Sequence, residues 1–233
     1  MIDRKKLMRL QVRALFTHDD NGRLDSVNEV EGREAPQFFL GRTPDGNVWR
    51  FRHDLDATTV VELEALCLQV PLGMDTALPQ SAIETFASIL NRQQPLQRTW
   101  AGPAYRFPQI ADVEPAAAVR VGPDNADVLR PHLPDWVDVA VSGQLLVAIL
   151  EQGRAVAVCG SVRVTPDAHE AGVETAASFR GLGYGAAVVS AWARVVTDLG
   201  AIPFYSTSWD NVVSQRLARS LSLVQFGSNL HFS

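Results

Sequence analysis

The C-terminal part of the chain carries its clearest pattern of apolar and polar residues. Across residues 184–199, apolar side chains recur with the spacing of one helix face, which predicts an amphipathic helix that Gly200 can end. The apolar positions of this face are Val188, Trp192, Val195 and Leu199. Residues 202–206 then predict a strand, and the polar residues 208–211 can cap a second helix. The buried face of that second helix is predicted to consist of Val213, Leu217 and Leu221.

Residues 124–165 predict one helix followed by a β-hairpin. Two apolar runs, 144–150 and 154–165, flank a turn at Gln152-Gly153 and predict paired strands. The helix is predicted over 124–132. At the other end of this part of the chain, the tail 223–232 predicts one or two short strands, broken at Gly227-Ser228-Asn229.

The first hundred residues predict a mixture of strands and helices. Residues 10–16 predict a strand. The runs 38–41 and 48–52 flank Thr43-Pro44-Asp45-Gly46-Asn47, a sequence typical of a hairpin turn. Helices are predicted from Asp56 or Thr58 to Leu68 and from Ser81 to Asn91.

A change in composition between residues 103 and 123 separates two regions. This stretch is rich in Pro and Ala and lacks the Gly/Ser composition of a flexible linker. We therefore predict an N-terminal α+β region over 1–110 and a second domain over 120–233. We expect the smaller N-terminal region to pack on the second domain and to contribute to a substrate-side wall.

Composition and charge exclude several classes of protein. The chain has 233 residues and a net charge of −5, which gives no broad basic surface for nucleic acid. Its two cysteines, Cys67 and Cys159, lie in apolar runs and predict buried thiols rather than a disulfide framework or a metal site. Without a signal pattern or a membrane-spanning run, we expect a cytoplasmic protein that binds neither membrane nor metal.

A glycine-rich turn precedes the helix predicted over 184–199. It reads Arg180-Gly181-Leu182-Gly183-Tyr184-Gly185 and follows a short strand candidate that includes Val173. Unshielded backbone amides at a helix N-terminus favour an anion such as pyrophosphate. The turn also satisfies a loose dinucleotide fingerprint, but the next strand ends in residues 205–208 without the acidic residue that this fingerprint requires.

This turn resembles the cofactor motif of the GNAT acyltransferase superfamily, Arg/Gln-x-x-Gly-x-Gly/Ala between a strand and a helix. The later Asn-x-x-Ala/Ser helix motif of that family is matched by Asn211-Val212-Val213-Ser214. The resemblance covers residues 144–233. This part of the chain is similar to a bacterial branch of the family with an additional N-terminal region, and the resemblance leaves residues 1–110 open as either GNAT-like or substrate-side. It implies a mixed α+β domain with a mostly antiparallel central sheet flanked by helices.

The resemblance also implies acetyl-CoA, or another acyl-CoA, as cosubstrate. In the family, the amides of the glycine turn hold the pyrophosphate, the preceding strand pairs with the pantetheine arm, and the later helix lies near the pantetheine or the leaving thiolate. Carried onto this chain, the cofactor-binding residues are Thr175, Ala176, Ala177, Arg180, Gly181, Leu182, Gly183, Tyr184, Gly185, Ala186, Asn211 and Ser214.

Transfer of an acyl group to an amine requires a base and a proton donor for the thiolate. Glu174 and Glu170 lie four residues apart, on the same face of an extended strand, and are the candidate bases, with Glu174 ranked first. The tyrosine that many family members carry seven residues after the helix asparagine is replaced by Ala218. Tyr205, Ser214 or water can instead protonate the leaving thiolate.

Two classes of function follow from these residues. The first is an N-acyltransferase in which the amine attacks the thioester directly. The second is a non-catalytic acyl-CoA-binding or sensor protein of the same fold, an alternative that the missing tyrosine keeps open. The expected partner is a small-molecule or peptide amine, whose identity the sequence leaves open. The sequence also leaves the oligomeric state open, with a homodimer as one option.

Overall fold

The computed structural model describes residues 3–29, 32–75, 77–108 and 118–233. The chain divides into two compact units, and neither is a single continuous segment. The first unit comprises Met1–Tyr105, Ser206–Val212 and Gln225–Ser233, and the second comprises Arg106–Tyr205 and Val213–Val224. Residues 109–117, which contain most of the predicted boundary between the two regions, lie outside the described residues. The first unit therefore includes two late segments that the sequence-based division assigned to the second domain.

The N-terminal part of the chain alternates helices and strands. In chain order these elements are α1 (Arg4–Leu15), β1 (Phe16–His18), β2 (Leu24–Val27), β3 (Phe38–Arg42), β4 (Val48–Phe51), α2 (Ala57–Cys67), α3 (Gln80–Leu90) and β5 (Thr99–Arg106). The side chain of Asp56 accepts a hydrogen bond from the Thr59 amide at 2.8 Å and caps α2. The helices predicted over 56–68 and 81–91 are present as α2 and α3, and the predicted hairpin is present as β3–β4.

The remaining elements follow the order that the sequence predicts. They are β6 (Ala118–Val121), a 3-10 helix (Pro123–Leu129), a 3-10 turn (Pro134–Trp136), α4 (Val137–Val141), β7 (Leu146–Glu151), β8 (Arg154–Val164), β9 (Ala168–Thr175), a 3-10 turn (Ala177–Phe179), α5 (Tyr184–Asp198), β10 (Ile202–Ser206), α6 (Val212–Ser220) and β11 (Val224–Phe232). The β7–β8 hairpin, α5 and β10 match their predicted spans closely.

The first unit is built on four strands in the order β4-β3-β11-β5. β3 is antiparallel to both β4 and β11. One apolar cluster joins these strands to α2 and α3, and in it Phe38 stacks on Phe51 and Phe86. Met8 of α1 packs so closely on Gly41 that a Cβ there would lie 2.3 Å from its sulfur. This contact requires glycine in β3.

The second unit is built on five strands in the order β10-β9-β8-β7-β6. Strands β6 to β9 are antiparallel, whereas β9 and β10 are parallel and pair over Ala168–Glu170. One face is covered by α5, whose Trp192 is fully buried. A second cluster contains Leu129, Leu133 and residues of α4. The strands of this unit therefore pack against α5 in one apolar cluster and against α4 and the segment before it in another.

Three sequence-based predictions of secondary structure are corrected. Residues 10–16 belong largely to helix α1, not to a strand, because Asp3 caps a helix whose buried positions recur every three or four residues. The tail is one continuous strand, β11, without the predicted break at Gly227-Ser228-Asn229, because Gly227 serves close packing: a Cβ there would lie 2.5 Å from Met8 Cε. The helix predicted over 124–132 is the shorter 3-10 helix that begins at Pro123.

A buried chain of hydrogen bonds links α5 to strands β8 and β9. Trp192 Nε1 donates to Ser161 Oγ at 3.0 Å, and Ser161 Oγ lies 2.8 Å from His169 Nδ1. Because the serine oxygen already accepts from the indole, its own hydrogen can be donated to Nδ1, which fits a neutral imidazole. Burial lowers the pKa of His169, in agreement with that neutral form.

We expect this histidine to make the stability of the fold sensitive to acid. The unfolded chain binds a proton on His169 near its ordinary pKa of 6.5, whereas the folded chain does so only at lower pH. The melting temperature should therefore fall as the pH drops through that value, and level off below the lowered pKa. Thermal melts between about pH 7.5 and 5.5 measure this slope.

His169→Gln is the informative variant, because its amide can still bond to Ser161 but does not titrate. It should show a shallower pH slope than the parent. His132→Gln removes an exposed histidine of the same unit and should keep the parental slope. Equal slopes for the parent and His169→Gln would contradict the assignment.

Candidate functional site

The glycine turn adopts a backbone that other residues rarely take. Gly181 has φ +78° and Gly183, which directly precedes α5, has φ +87°. A Cβ built on either glycine meets no atom within 4 Å, so the space beside both is open. The first helical hydrogen bond runs from the Ala187 amide to the Gly183 carbonyl at 3.1 Å. The amides that precede Ala187 in α5 lack such helical partners and can bind an anion.

The third glycine of the motif has a different role. A Cβ on Gly185 would lie 3.2 Å from Thr175 Oγ1, so glycine here lets the first turn of α5 approach the end of β9. The neighbouring Tyr184 side chain donates its hydroxyl hydrogen to the Glu151 carboxylate of β7. That hydrogen bond raises the pKa of Tyr184. Leu182, in the middle of the turn, is exposed.

Arg180 bonds to the end of the preceding strand. Its Nε donates to the Thr175 carbonyl oxygen at 3.1 Å, and its side chain is exposed. Downstream of Thr175, the Ala176 amide donates to the Val156 carbonyl at 2.9 Å, and the short turn that begins at Ala177 leads to Arg180. The structure thus brings the predicted residues 175–177 and 180–186 together around one turn.

Strands β9 and β10 separate on the way to this turn. Their parallel pairing covers Ala168–Glu170 and Ile202–Phe204, while the rest of β9 continues as the partner of β8 as far as Thr175. The gap between β9 and β10 therefore lies toward Thr175, the end of β9 that precedes the glycine turn. Residues 171–175 of β9 have no β10 partner in this register.

The two candidate bases lie on one face of β9 but differ in burial. Glu170 is only 2% exposed and lies opposite Arg163 of β8 and beside Phe204 of β10 in the strand register. Glu174 is half-buried, and its Oε2 accepts a hydrogen bond from Trp136 Nε1 at 2.7 Å. Glu174 is therefore the more accessible of the two carboxylates.

Tyr205 and Ser214 form a hydrogen-bonded pair. The Tyr205 hydroxyl lies 2.5 Å from Ser214 Oγ and joins β10 to α6. Tyr205 is 2% exposed, whereas Ser214 is half-buried. Ala218, which occupies the position of the usual family tyrosine, is fully buried in α6. Asn211 directly precedes α6 and is exposed.

Other predicted features can be placed in the structure as well. Cys67 and Cys159 are free and buried, and burial raises the pKa of Cys67 to about 12 and that of Cys159 well above its usual value. Within the described ranges, His, Cys, Asp and Glu side chains form no group of three or more that could hold a metal ion. No helix in the described part of the chain is long and apolar enough to cross a membrane.

Sequence reasoning missed Trp136. It lies in the sequence Pro-Asp-Trp, outside any periodic pattern, and contacts Glu174 from 38 positions away in the chain. The only signal that could have found it is the pair of glycines, Gly160 and Gly172, within two apolar strands. A glycine inside a strand often marks the close approach of another group, and a Cβ on either of these two would lie 3.0 Å from the Trp136 ring.

No family model matches this sequence, and no curated protein matches it. Solved structures do match. A GCN5-related N-acetyltransferase-like protein from Streptococcus suis 89/1591 is 14% identical, with 98% of this chain and 99% of that chain covered at a TM-score of 0.51. An acetyltransferase from the GNAT family of Colwellia psychrerythraea is 11% identical, with 79% and 75% covered at a TM-score of 0.49.

A further match is a protein assigned to the GNAT family from Novosphingobium aromaticivorans DSM 12444. It is 18% identical, with 59% of this chain covered and a TM-score of 0.48. The chain spans 65% of that protein's length. The match to the Streptococcus suis structure shows that this chain has the GNAT fold, a mixed α+β architecture with a large, mostly antiparallel sheet. The resemblance predicted from the glycine turn is thereby confirmed at the level of the fold.

Proposed function

We propose that this protein is an N-acyltransferase that transfers an acetyl or related acyl group from acyl-CoA to an amine. The observation that carries the proposal is the turn at the start of α5, in which Gly181 and Gly183 have positive φ and which follows β9 after the short turn Ala177–Phe179. Its open space and unbonded amides suit the pyrophosphate of acyl-CoA, and side chains would fill that space at these positions. The acceptor is a small-molecule or peptide amine.

Acyl-CoA is the acyl donor, and the chain supplies groups for binding and proton transfer. We assign the pyrophosphate to the amides of residues 182–186 and the pantetheine arm to the β9 end near Thr175, with Ser214 beside it. An acceptor held next to Glu174 attacks the thioester carbonyl carbon. The C–N bond forms, the C–S bond breaks, and the electron pair of that bond leaves on the thiolate.

Two protons must move in this reaction. Glu174 takes the proton that the amine loses, because its carboxylate is half-buried and within reach of solvent, whereas Glu170 is almost fully buried. The Tyr205–Ser214 pair supplies the proton that the thiolate gains. Ser214 is the more exposed member, so it passes its proton to the sulfur as it takes the Tyr205 proton, and Tyr205 is reprotonated from solvent through Ser214 after the products leave.

The experiment for this proposal is to incubate the purified protein with acetyl-CoA and a panel of amines. We expect free CoA thiol and acetylated amine to appear in equal amounts, with the thiol measured by a colour reagent and the product by mass spectrometry. Thiol release without any acetylated amine would indicate hydrolysis instead and would contradict the proposal.

The second candidate function is acyl-CoA binding without turnover. It is favoured by Ala218, which is fully buried where many GNAT proteins carry their tyrosine acid. Calorimetric binding of acetyl-CoA together with no product across small amines, amino acids and peptide N-termini would support this alternative.

A further inference from the structure

Trp136 is held between two buried residues of the second unit and projects onto the sheet. It ends the short turn Pro134–Trp136, which lies between Leu133 and Val137, both at least nine-tenths buried. Its own side chain is half-buried. The buried neighbours on both sides fix the backbone from which the indole extends.

The indole rests on two glycines that face each other across strands β8 and β9. Gly160 and Gly172 are register partners, and a Cβ on either would lie 3.0 Å from a carbon of the Trp136 ring. A Cβ would also crowd Leu146 at the first position and Val162 at the second. Neither glycine has a positive φ, so the backbone does not demand glycine there. What these two positions provide is space for the ring and its neighbours.

The position of the ring brings its N–H group to the candidate base. Glu174 follows Gly172 by two residues and thus points to the same face of β9. Trp136 Nε1, which can only donate, lies 2.7 Å from Glu174 Oε2. A hydrogen bond to a carboxylate is stronger than one between neutral groups. This bond ties one oxygen of Glu174 to the ring and leaves Oε1 for another partner.

We propose that Trp136 is a positioning residue that holds the Glu174 carboxylate in the orientation needed to take the acceptor's proton. The inference rests on the proposed function, in which Glu174 is the base. A glutamate side chain has three rotatable torsions, and the indole N–H selects among the resulting orientations. The ring itself is kept in place by contact with Gly160 and Gly172, so its position does not depend on the ligand.

Trp136→Phe tests the proposal because it keeps most of the ring and removes the N–H. We expect kcat to fall about 10–100-fold, since small losses of orientation at a reacting group have effects of this order. The acceptor KM and the affinity for acetyl-CoA should change little. Trp100→Phe is the matched control: Trp100 is a half-buried tryptophan of β5 that stacks on His231, and its replacement should leave kcat unchanged.

A double-mutant cycle separates positioning from a structural role. If Trp136 acts through Glu174, then Trp136→Phe should cause no further loss of kcat in a Glu174→Gln background. Full additivity of the two losses would overturn the proposal. An unchanged kcat with a raised acceptor KM would also overturn it, because Trp136 would then be part of the acceptor wall.

An NMR measurement keeps the proposal testable even if the protein shows no turnover or the tryptophan variant does not fold. The indole ¹H–¹⁵N resonance of Trp136, assigned in the parent protein, reports directly on its hydrogen bond. Glu174→Gln replaces a charged acceptor by a neutral one, so we expect this resonance to shift upfield in the proton dimension. An unmoved resonance would show that the bond is absent and would overturn the positioning role, whereas a moved resonance without turnover in the parent would contradict only the proposed function.

Discussion

Replacing Glu174 with glutamine should lower turnover by about 10²–10⁴-fold, the usual contribution of a general base. Such a loss corresponds to about 2.7–5.4 kcal/mol in activation free energy. Glutamine is nearly isosteric, and its side-chain oxygen can still accept the Trp136 hydrogen bond, so the fold and the affinity for acetyl-CoA should remain. The measurement is steady-state kcat together with calorimetric binding of acetyl-CoA.

The pH dependence and a second variant sharpen this result. The deficit of Glu174→Gln should shrink at high pH, where more of the acceptor amine is already neutral. Glu170→Gln is the matched comparison, because Glu170 lies on the same strand and face. A loss of turnover in Glu170→Gln but not in Glu174→Gln would identify the buried Glu170 as the base. Equal activity of the parent and Glu174→Gln from about pH 6 to 9 would remove Glu174 from the mechanism.

Replacing Gly183 with valine should abolish measurable binding of acetyl-CoA. The valine side chain would enter the open space beside the turn, where we place the pyrophosphate. We expect an affinity loss of at least ~100-fold, or about 2.7 kcal/mol of binding free energy. Isothermal titration of the folded variant measures it.

A valine at φ +87° also strains the backbone, so the variant needs a control with the same strain. Gly200 provides it: it ends α5 at φ +82°, and a Cβ there also meets no atom within 4 Å. Gly200→Val should lose a similar amount of thermal stability and keep full affinity for acetyl-CoA. If both variants bind equally well, the pyrophosphate does not lie on this turn.

The parts of the fold that the sequence predicted are those in which local pattern and tertiary packing agree. Helix α5 has an apolar face, a glycine before it and Gly200 after it, so its bounds could be predicted almost to the residue. The β7–β8 hairpin is set by Gln152-Gly153 between two apolar runs in the same way. Sequence alone also pointed to the glycine turn, since three closely spaced glycines at a helix start have few other uses.

The missed parts have two causes: local patterns that fit more than one element, and contacts between distant residues. Helix α1 escaped prediction because its polar first turn hides the spacing of Leu7, Met8, Val12 and Leu15, and the apolar run around Val12 alone also fits a strand. Gly227 suggested a break in β11, whereas its true role is contact with Met8, about 220 positions away.

The same limit applies to the candidate site. The sequence selected Glu174, Tyr205 and Ser214 separately, but the hydrogen bond between Tyr205 and Ser214 becomes visible only when β10 and α6 are packed together. The bond from Trp136 to Glu174 joins residues of two elements that no local pattern relates. Pairwise geometry of this kind determines which of several plausible side chains can act together.

A crystal structure of the protein with bound CoA would test directly whether the pyrophosphate binds at the glycine turn. We predict that the pyrophosphate lies within hydrogen-bond distance of the amides of residues 182–186, with the pantetheine arm in the opening between β9 and β10. The sulfur should lie near Ser214, on the side of the opening that Glu174 can reach. A pyrophosphate bound elsewhere on the protein, with the glycine turn empty, would contradict the assignment of the acyl-CoA site to this turn.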